Sequence, residues 1–451
     1  MASNRPNILI VHCHDLGQYL HCYGVATVQT PNLDEFATQG VRFANSFCTT
    51  PSCSPSRAAL FTGRYPHSNG VMGLCHHRFA WDLHPEEVHL AQYLRDAGYS
   101  TAAVGVIHET ASSPERIGYQ RYVGGVFAKD MADRTLDLLE EYAQTPDQPF
   151  FLCVGSIEPH RLAEADLEDT PGDCSYPGNH LEPDDELGVE VPGYLQDTEG
   201  ARKELAGLQG AVKHVDEQFG RIWRKVQELG IEDNTLIIFT TDHGIAMPHS
   251  KCSLFEPGVS VALLMRMPTR AGWNGGATHY YLVQNIDVLP TLLEVVGLPV
   301  PSHLQGHSFR PLLDGEAYEP RREVFTELTY HDHYDPRRAI RTETHKLIAD
   351  FSTCRAFMDP SQRWRPLSDP VSPVNQAMSY TDYLEVYDLT RDPWELENVS
   401  EKPEYQAIKR KLAARLFAWM KETDDPLLQG AVTNPHHQKT MALLEEASAQ
   451  S

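Results

Sequence analysis

Apolar and polar positions alternate along the first two-thirds of the chain in a way that predicts strands and helices following one another in turn. Short continuous apolar runs, typical of buried strands, are separated by longer segments in which apolar residues recur every three or four positions. Strands are expected at 7–12, 100–105, 149–155, 235–240 and 259–265, and amphipathic helices at 87–97, 128–143, 201–229 and 286–296. This alternation predicts an α/β domain with a large, mostly parallel sheet flanked by helices.

The pattern changes after about residue 320, where short strands replace the strand–helix repeat. Strands are expected at 323–329, 338–348 and 384–389, followed by a helix at 403–422 whose Leu412, Leu416 and Trp419 share one face. We therefore predict a large domain over 1–320 and a smaller α+β domain over 321–451, with antiparallel strands and the long helix. The segment from about 427, which shows little periodicity, is expected to be an extended tail.

Two of the expected strands run directly into polar residues that suit a functional site. The first strand leads to His14-Asp15 and the fourth leads to Asp242-His243. The carboxyl ends of parallel strands meet at one edge of a sheet, where open α/β sheets bind their ligands. We expect these residues to meet there, and we expect the polar, Pro- and Gly-rich stretch 161–199 to form a long loop over them.

Composition and charge narrow the range of functions. The 451-residue chain is 41% hydrophobic and 22% charged, as in globular proteins, and no apolar run approaches the roughly 20 residues that span a membrane. A formal charge of −24 disfavours nucleic acids and anionic membranes as partners, so an anionic substrate needs a locally positive pocket. The start of the sequence lacks the pattern of a secretory signal, so either the protein is cytoplasmic or a leader has been removed. Nine scattered cysteines then indicate reduced thiols.

The sharpest chemical motif is Cys53-Ser54-Pro55-Ser56-Arg57, followed closely by Thr62-Gly63-Arg64. Pro55 suits the first position of a helix and Ser54 suits its cap. Cys53 is then expected at a helix N-terminus, where backbone N–H groups and the helix dipole favour anions. Arg57, about one turn later, is expected to point back to the same place. From spacing alone, a buried or low-pKa thiol beside a helix start is an equally good interpretation.

This motif resembles the signature of the formylglycine-dependent sulfatase family, and the resemblance covers about residues 6–427. It extends to Asn7–Gly17, Thr30–Asp34, Pro149–His160, Phe239–Gly244, Val386–Pro393 and Glu422–Pro426. Within the family, the chain is most similar to the heparan N-sulfatase (sulfamidase) branch, through Ser52–Arg57, Asn69–Leu74, Pro159–Arg161, Gly244–Pro248 and Leu254–Gly258. The resemblance implies an alkaline-phosphatase-like fold, one divalent metal (normally Ca²⁺) and conversion of Cys53 to formylglycine by a formylglycine-generating enzyme.

The resemblance also implies roles for individual residues. The hydrate of formylglycine at position 53 attacks sulfur, and the covalent sulfate leaves when the second hydroxyl is deprotonated. The catalytic residues implied are Cys53, Arg57, His108, His160 and Lys251, with His108 as the base, His160 at the sulfate and leaving group, and Lys251 on the sulfate. The metal ligands implied are His14, Asp15, Cys53, Asp242 and His243.

Two positions depart from the family pattern. The first metal loop usually carries two adjacent aspartates, and here the first of them is His14. Mixed nitrogen and oxygen donors suit Mn²⁺ or another transition metal better than Ca²⁺, unless His14 does not bind the metal at all. The family's Gly-Lys-x-His becomes Gly105-Val106-Ile107-His108, which removes a cation that normally contacts the sulfate. Residues that could replace this cation are Arg78, His76, His77, Arg161 and Arg337 or Arg338.

Substrate recognition is expected in the segment 329–338, where relatives contact their substrates. His331, Arg337 and Arg338 in this segment suit an anionic sugar, although a solvated polar loop is an equal alternative. The leading prediction is hydrolysis of a sulfate ester or sulfamate, on a sugar such as N-sulfoglucosamine. The alternatives are a phosphodiesterase or phosphonate monoester hydrolase on the same fold, and a non-catalytic anion-binding protein.

Overall fold

The computed structural model of the protein describes residues 5–76, 79–163, 174–176, 181–331, 333–353, 367–371 and 382–449. Its strands are β1 (Asn7–Cys13), β2 (Val41–Phe43), β3 (Ser46–Phe47), β4 (Ser100–Gly105), β5 (Arg121–Val123), β6 (Phe150–Gly155), β7 (Leu162–Ala163), β8 (Cys174–Ser175), β9 (Thr235–Thr241), β10 (Leu263–Arg266), β11 (Ala277–His279), β12 (Val283–Gln284), β13 (Glu323–Tyr330), β14 (Tyr334–Thr342), β15 (His345–Asp350) and β16 (Leu384–Asp388). Its α-helices are α1 (Pro31–Gln39), α2 (Cys53–Thr62), α3 (Pro66–Asn69), α4 (Leu90–Asp96), α5 (Ala128–Ala143), α6 (Glu199–Glu228), α7 (Glu256–Val259), α8 (Val288–Val295), α9 (Arg310–Leu313), α10 (Gln406–Glu422) and α11 (Pro435–Ala449).

The central sheet has eight strands in the order β11-β2-β10-β9-β1-β6-β4-β5. The pairings β11–β2, β9–β1, β1–β6, β6–β4 and β4–β5 are parallel, and the two pairings of β10 are antiparallel. The prediction of a mostly parallel sheet is therefore confirmed. The fifth expected strand, 259–265, is shorter than expected because Glu256–Val259 forms a helical turn and the strand begins at Leu263.

Helices cover both faces of this sheet, which explains why β1 is buried at every position and carries a continuous apolar run at 8–11. Leu9 and Val11 of β1 face a core layer that contains residues of α1, α5 and α6. Ile8 and Ile10 face the opposite layer, which contains residues of α2, α4 and α8. Successive side chains of a strand point to opposite faces of the sheet. When both faces are buried, every position favours an apolar residue, so the strand has a continuous apolar run in its sequence.

The chain after β12 forms a second, antiparallel sheet in the order β13-β14-β15-β16. The expected strand 338–348 is two strands, β14 and β15, which pair with each other across a tight turn. Helix α10 begins at Gln406, after a 3-10 turn at Pro403–Tyr405, and buries its predicted apolar face. The Trp419 ring stacks on Phe325 at 4.8 Å between ring centroids, which joins the helix to β13.

The expectation of an extended tail after about 427 is wrong for most of its length. The chain forms a 3-10 turn at Pro426–Gln429 and, after a short link, helix α11, in which no residue is buried. Alanine, leucine and glutamate are good helix formers, so local propensity favours this helix despite its weak periodicity. Among the described helices, none has the length and apolar character needed to cross a bilayer.

The cysteines agree with the expectation of reduced thiols. The seven whose side chains the structure describes are free: Cys13, Cys22, Cys48, Cys53, Cys75, Cys153 and Cys252. The side chains of Cys174 and Cys354 lie outside the described part of the chain.

A buried ion-pair network joins the second sheet to the segment after α10 and to helix α3. Arg338 on β14 is fully buried and donates from Nε and Nη2 to the carboxylate of Asp425, at 2.5 and 3.0 Å. Its Nε also lies 3.5 Å from the Glu327 carboxylate on β13, which accepts a 2.8 Å hydrogen bond from the backbone N–H of His67. The single guanidinium of Arg338 thus neutralises the charge of two buried carboxylates, Asp425 and Glu327.

We predict that Arg338→Ala destabilises the protein by about 3–5 kcal/mol, because it leaves the Asp425 and Glu327 carboxylates buried without their counter-charge. The measurement is the midpoint of urea unfolding. Arg95→Ala serves as the control, since it removes an exposed pair with Asp96 and should cost at most about 1 kcal/mol. Equal midpoints for the two variants would contradict a structural role for Arg338.

Candidate active site

The carboxyl ends of β1 and β9 lie side by side, and the loop after each strand brings one aspartate into a shared, buried site. Asp15 adopts a left-handed conformation with φ of 48°, and its backbone N–H donates to Asp242 Oδ1 at 3.0 Å. The same oxygen accepts from the backbone N–H of His243 at 2.8 Å. The next residue must be glycine, because a Cβ on Gly244 would lie 1.8 Å from the carbonyl oxygen of Pro257.

Cys53 is the first residue of α2, so this helix begins two residues earlier than the sequence suggested. Ser52, not Ser54, occupies the N-cap position, and Pro55 lies inside the first turn. The Ser54 hydroxyl instead accepts a hydrogen bond from the backbone N–H of Cys75 at 3.1 Å. Cys53 Sγ lies 3.2 Å from His243 Nε2, so the thiol at the start of α2 contacts the loop that follows β9.

Arg57, one turn further along α2, is buried against the Asp242 carboxylate. Its Nη2 donates to Asp242 Oδ2 at 3.2 Å and to the carbonyl of Cys13 at 3.3 Å, and its Nη1 contacts His12 Nδ1. Burial alone would raise the pKa of Asp242, but the charges of His243, Arg57 and His14 hold that pKa far below its usual range. Arg57 therefore keeps Asp242 ionised.

Lys251 and His160 approach the site from the side of Asp15. Lys251 is buried, and its Nζ lies 2.9 Å from Asp15 Oδ2 and 3.2 Å from His160 Nε2. His160 follows β6, and its Nδ1 lies 2.6 Å from the carbonyl oxygen of Arg161, which fixes the ring. An ammonium and an imidazole thus stand together at one side of Cys53, where they can contact an anion or its leaving group.

The residues around Cys53 fit a divalent metal. Donor atoms of His14, Asp15, Cys53 and Asp242 all lie within 4.8 Å of one another. His14 Nδ1 lies 3.1 Å from Asp242 Oδ2, and His243 Nε2 lies 3.3 Å from Asp15 Oδ1. Yet the two ring nitrogens of His14 and Asp15 Oδ1 make no well-aligned hydrogen bond to any residue that the structure describes. Buried polar atoms are normally satisfied, and a cation would satisfy these.

A cavity of about 520 Å³ opens onto Cys53 and is the place where a substrate can enter. Among the described residues, five histidines and one cysteine contribute to its lining, namely His14, Cys53, His76, His108, His160 and the predicted substrate residue His331. The remaining lining is mostly apolar and comprises Leu74, Gly105, Val106, Ile107, Tyr122, Val126, Ile157 and Leu162. Burial lowers the pKa of His108, which favours the neutral imidazole that a general base requires.

The structure does not bring Arg337 and Arg338 to this cavity, which corrects their assignment as substrate-binding residues. Arg338 belongs to the buried network with Asp425 and Glu327. Arg337 Nε lies 3.0 Å from Asp335 and 3.5 Å from Asp350, so its charge is also compensated inside the second sheet. Consecutive residues of β14 point to opposite faces, and here both faces are buried.

The other residues that could replace the lysine absent at position 106 lie in different parts of the structure. Arg161 is buried in an ion pair with Glu204, at 2.8 Å, and covers the ring of Tyr176. His76 lines the cavity. His77 and Arg78 lie outside the described residues, as do residues 164–173 and 177–180 of the loop expected over 161–199.

Sequence reasoning missed His12 and the apolar wall of the cavity. His12 Nδ1 contacts the Arg57 guanidinium. His12 is on β1 and His14 directly follows this strand, and a spacing of two residues predicts that both side chains point to the same side. Tyr122, Val126 and Ile157 carry no comparable signal, because they come from two separate segments that only the folded sheet places around one opening.

The electrostatic surroundings of Cys53 differ from those of the other thiols. Burial would raise the pKa of Cys53, but positive Lys251 and His243, with hydrogen bonds to His108 and His14, hold it well below its usual value. Burial instead raises the pKa of Cys22 and of Cys153 to about 12. The positive charges and hydrogen-bond donors around residue 53 therefore stabilise a negative charge there.

Comparison with known proteins agrees with this arrangement. Residues 6–298 match the profile of the sulfatase family, and residues 244–359 match that of the N-sulphoglucosamine sulphohydrolase C-terminal region. The chain is 29% identical to human N-sulphoglucosamine sulphohydrolase, over 94% of this chain and 92% of that protein. It is 28% identical to an ulvan-active sulfatase of Formosa agariphila, over 96% of this chain and 83% of that protein.

Two solved structures illustrate the shared fold. The structure of BT4656 in complex with its substrate D-glucosamine-2-N,6-O-disulfate has a TM-score of 0.71 and 21% identity, covering 93% of this chain and 98% of that chain. The phosphonate monoester hydrolase of Agrobacterium radiobacter has a TM-score of 0.68 and 22% identity, covering 93% of this chain and 96% of that chain.

We predict that, in unconverted and metal-free protein, iodoacetamide alkylates Cys53 at least about tenfold faster than Cys22 at pH 7. The reason is that the thiolate is the nucleophile and each unit of pKa changes the thiolate fraction about tenfold. Tandem mass spectrometry of the tryptic peptide 43–57, whose fragments distinguish Cys53 from Cys48, gives the rate for Cys53. Lys251→Met should slow only this reaction, because it removes a positive charge beside the sulfur. Cys22 is more accessible, so faster labelling of Cys22 would contradict the prediction.

Proposed function

Because the chain belongs to the sulfatase family, we propose that this hydrolase of sulfuric esters or sulfamates acts on a sulfated sugar, with N-sulfoglucosamine as the leading substrate. The observation that carries the proposal is the position of Cys53 at a helix start beside one cavity. Around it lie two buried aspartates, a buried lysine and four histidines, namely Asp15, Asp242, Lys251, His14, His108, His160 and His243. The choice of sugar is supported by the match of residues 244–359 to the N-sulphoglucosamine sulphohydrolase profile and by the similarity to the human enzyme of that name.

The proposed chemistry begins with maturation. A formylglycine-generating enzyme converts Cys53, and the hydrated aldehyde then supplies two hydroxyls, one that attacks sulfur and one that is later deprotonated. A divalent metal held by His14, Asp15, Asp242, His243 and residue 53 supplies positive charge for the sulfate oxygens and for the attacking hydroxyl. This chemistry is supported by the charges of Lys251 and His243, which hold the pKa of Cys53 below its usual value and so favour an anion at this position.

The remaining steps are assigned to side chains of this chain. The ammonium of Lys251 lies beside Asp15 and His160, where it can neutralise charge on a sulfate oxygen. His160 Nε2 accepts from that ammonium, and once it is protonated it can donate to the leaving nitrogen or oxygen. Burial alone would lower the pKa of His160, but its neighbours, above all the charge of Asp15, raise that pKa above its usual value. His108, neutral because it is buried, accepts the proton of the second hydroxyl. Arg57 acts indirectly, by keeping Asp242 ionised and in place.

For the metal we propose Mn²⁺ or another transition metal rather than Ca²⁺. Calcium prefers a shell made entirely of oxygen atoms, whereas the His14 ring lies against the Asp242 carboxylate with both nitrogens lacking a well-aligned hydrogen bond within the described chain. Imidazole combined with carboxylate suits the first-row transition metals. The proposed ligand set thus contains two imidazoles, His14 and His243, where an all-oxygen site has none.

A phosphonate monoester hydrolase or phosphodiesterase is the second candidate. The fold is shared with the phosphonate monoester hydrolase of Agrobacterium radiobacter, and Val106 stands where sulfatases carry a sulfate-contacting lysine. Both observations concern the same cavity, so one set of substrates can separate the two functions.

We predict release of inorganic sulfate from N-sulfoglucosamine by protein co-expressed with a maturation enzyme. O-sulfated sugars, an aryl sulfate, a phosphodiester and a phosphonate monoester are measured alongside. Cys53→Ala should lower turnover by more than about a thousandfold, with an unchanged circular dichroism spectrum, because the change removes the nucleophile and not a core contact. Preference for an O-sulfated sugar would keep the reaction and change the substrate. Turnover of the phosphorus compounds alone would show that the proposal is wrong.

We predict that the purified protein retains a transition metal when analysed by inductively coupled plasma mass spectrometry, and that His14→Asp shifts retention towards calcium. The exchange restores a carboxylate oxygen in place of an imidazole nitrogen, so the ratio of bound Ca²⁺ to Mn²⁺ should rise at least about tenfold. His436→Ala, on the exposed helix α11, is the control. Calcium retention that is the same in the wild type and in His14→Asp would exclude a ligand role for His14.

A further inference from the structure

We propose that His76 is a positioning residue for His108, an inference that rests on the proposed function of His108 as a base. His76 accepts the N–H of His108 Nε2 and thereby leaves His108 Nδ1 unprotonated and directed at residue 53. The sequence singled out His76 only as one of several possible replacements for a missing cation. Its place in the structure assigns it a different task.

The central observation is a short contact between two imidazoles. His76 Nδ1 lies 2.7 Å from His108 Nε2, a distance typical of a hydrogen bond, and the ring centroids are 4.9 Å apart. The other nitrogen of His108, Nδ1, is buried and makes no well-aligned hydrogen bond to any described residue. A donor atom of His108 lies within 4.8 Å of Cys53 Sγ and of a ring nitrogen of His14. One ring nitrogen is thus engaged by His76, and the other is available to the nucleophile.

Both imidazoles are held by anchored backbone. The backbone N–H of Cys75, the residue before His76, donates to the Ser54 hydroxyl on α2 at 3.1 Å, so the segment that carries His76 is tied to the helix that carries Cys53. On the other side, the backbone N–H of His108 donates to the Glu109 carboxylate at 2.8 Å. The Phe79 ring packs edge-on against the His76 ring with centroids 5.4 Å apart. The two rings are therefore placed by different loops and meet beside residue 53.

The chemical argument concerns the tautomer. A neutral imidazole carries one N–H, so His108 can accept a proton at Nδ1 only when its proton is on Nε2. An acceptor at Nε2 selects that tautomer, and it also stabilises the imidazolium that forms when Nδ1 takes up a proton. His76 is such an acceptor when its own proton is on Nε2. No charge is needed on His76 for this task, and a cation at this position would oppose it.

Substitutions at position 76 separate this role from that of a substitute cation. His76→Ala removes the acceptor, His76→Asn offers an amide oxygen close to where Nδ1 stood, and His76→Lys offers a positive donor instead. We expect kcat on the best sulfated substrate to fall about a hundredfold for Ala and at least as much for Lys, and to stay within about tenfold of wild type for Asn. KM should change little, because His76 does not contact the substrate in this proposal. His436→Ala is the matched control on exposed α11.

The opposite ranking would overturn the proposal. If Lys restores activity and Asn does not, His76 supplies positive charge in place of the family lysine missing at Val106. If all three variants match the wild type, His76 has no role in the reaction. If all three raise KM and leave kcat unchanged, His76 belongs to substrate binding.

A spectroscopic measurement keeps the test independent of turnover. In protein labelled with ¹⁵N-histidine, the long-range ¹H–¹⁵N spectrum distinguishes protonated from unprotonated ring nitrogens, and His108→Asn identifies the His108 signals. Wild type and His76→Asn should show the Nε2–H tautomer of His108, and His76→Ala should show a mixture. An unchanged His108 tautomer in His76→Ala contradicts the inference. If wild type hydrolyses no sulfated substrate, the proposed function fails while this spectrum still tests the hydrogen bond.

Discussion

The buried carboxylate of Asp242 is the constraint on which the site depends. One of its oxygens accepts the backbone N–H groups of Asp15 and His243, and the other faces Arg57 and His14. A buried carboxylate is costly unless its lone pairs are satisfied, so the loops after β1 and β9 and the helix α2 must all be in place together. The same interactions put Cys53 beside His243, so stability of the fold and geometry of the site are coupled.

Charge in the site is balanced locally, in a chain whose formal charge is −24. Arg57 faces Asp242 and Lys251 faces Asp15, so each buried aspartate has a cationic partner from another segment. The two departures from the sulfatase pattern preserve this balance. A histidine replaces one aspartate at position 14, which removes a negative charge, and Val106 replaces a lysine, which removes a positive charge. Among the described residues, six histidines line the cavity or lie at its base, so most of its polar side chains are imidazoles.

The second sheet contributes to the cavity mainly by position. His331, at the end of β13, reaches the lining, whereas Arg337 and Arg338 are buried against carboxylates. Near the same strand end, the hydroxyl of Tyr330 donates to the carbonyl of Val432 at 2.7 Å, which fixes the link that leads to α11. Arg338 and Tyr330 of this sheet thus hold the C-terminal part of the chain in place, through Asp425 and Val432.

The sequence by itself determined the parallel sheet, the family and the residues nearest to Cys53, because these depend on local signals: continuous apolar runs at β1 and β9, the Cys53–Arg57 motif and the two loops that follow the strands. It misplaced the start of α2 by two residues and missed α11, since helix ends and exposed helices carry weak patterns. Only the tertiary structure decided which residues His76 and Arg338 contact, and therefore which roles they have. A histidine and an arginine in polar segments look alike in a sequence, but which one meets a catalytic base and which one meets a buried carboxylate depends on contacts between residues far apart in the chain.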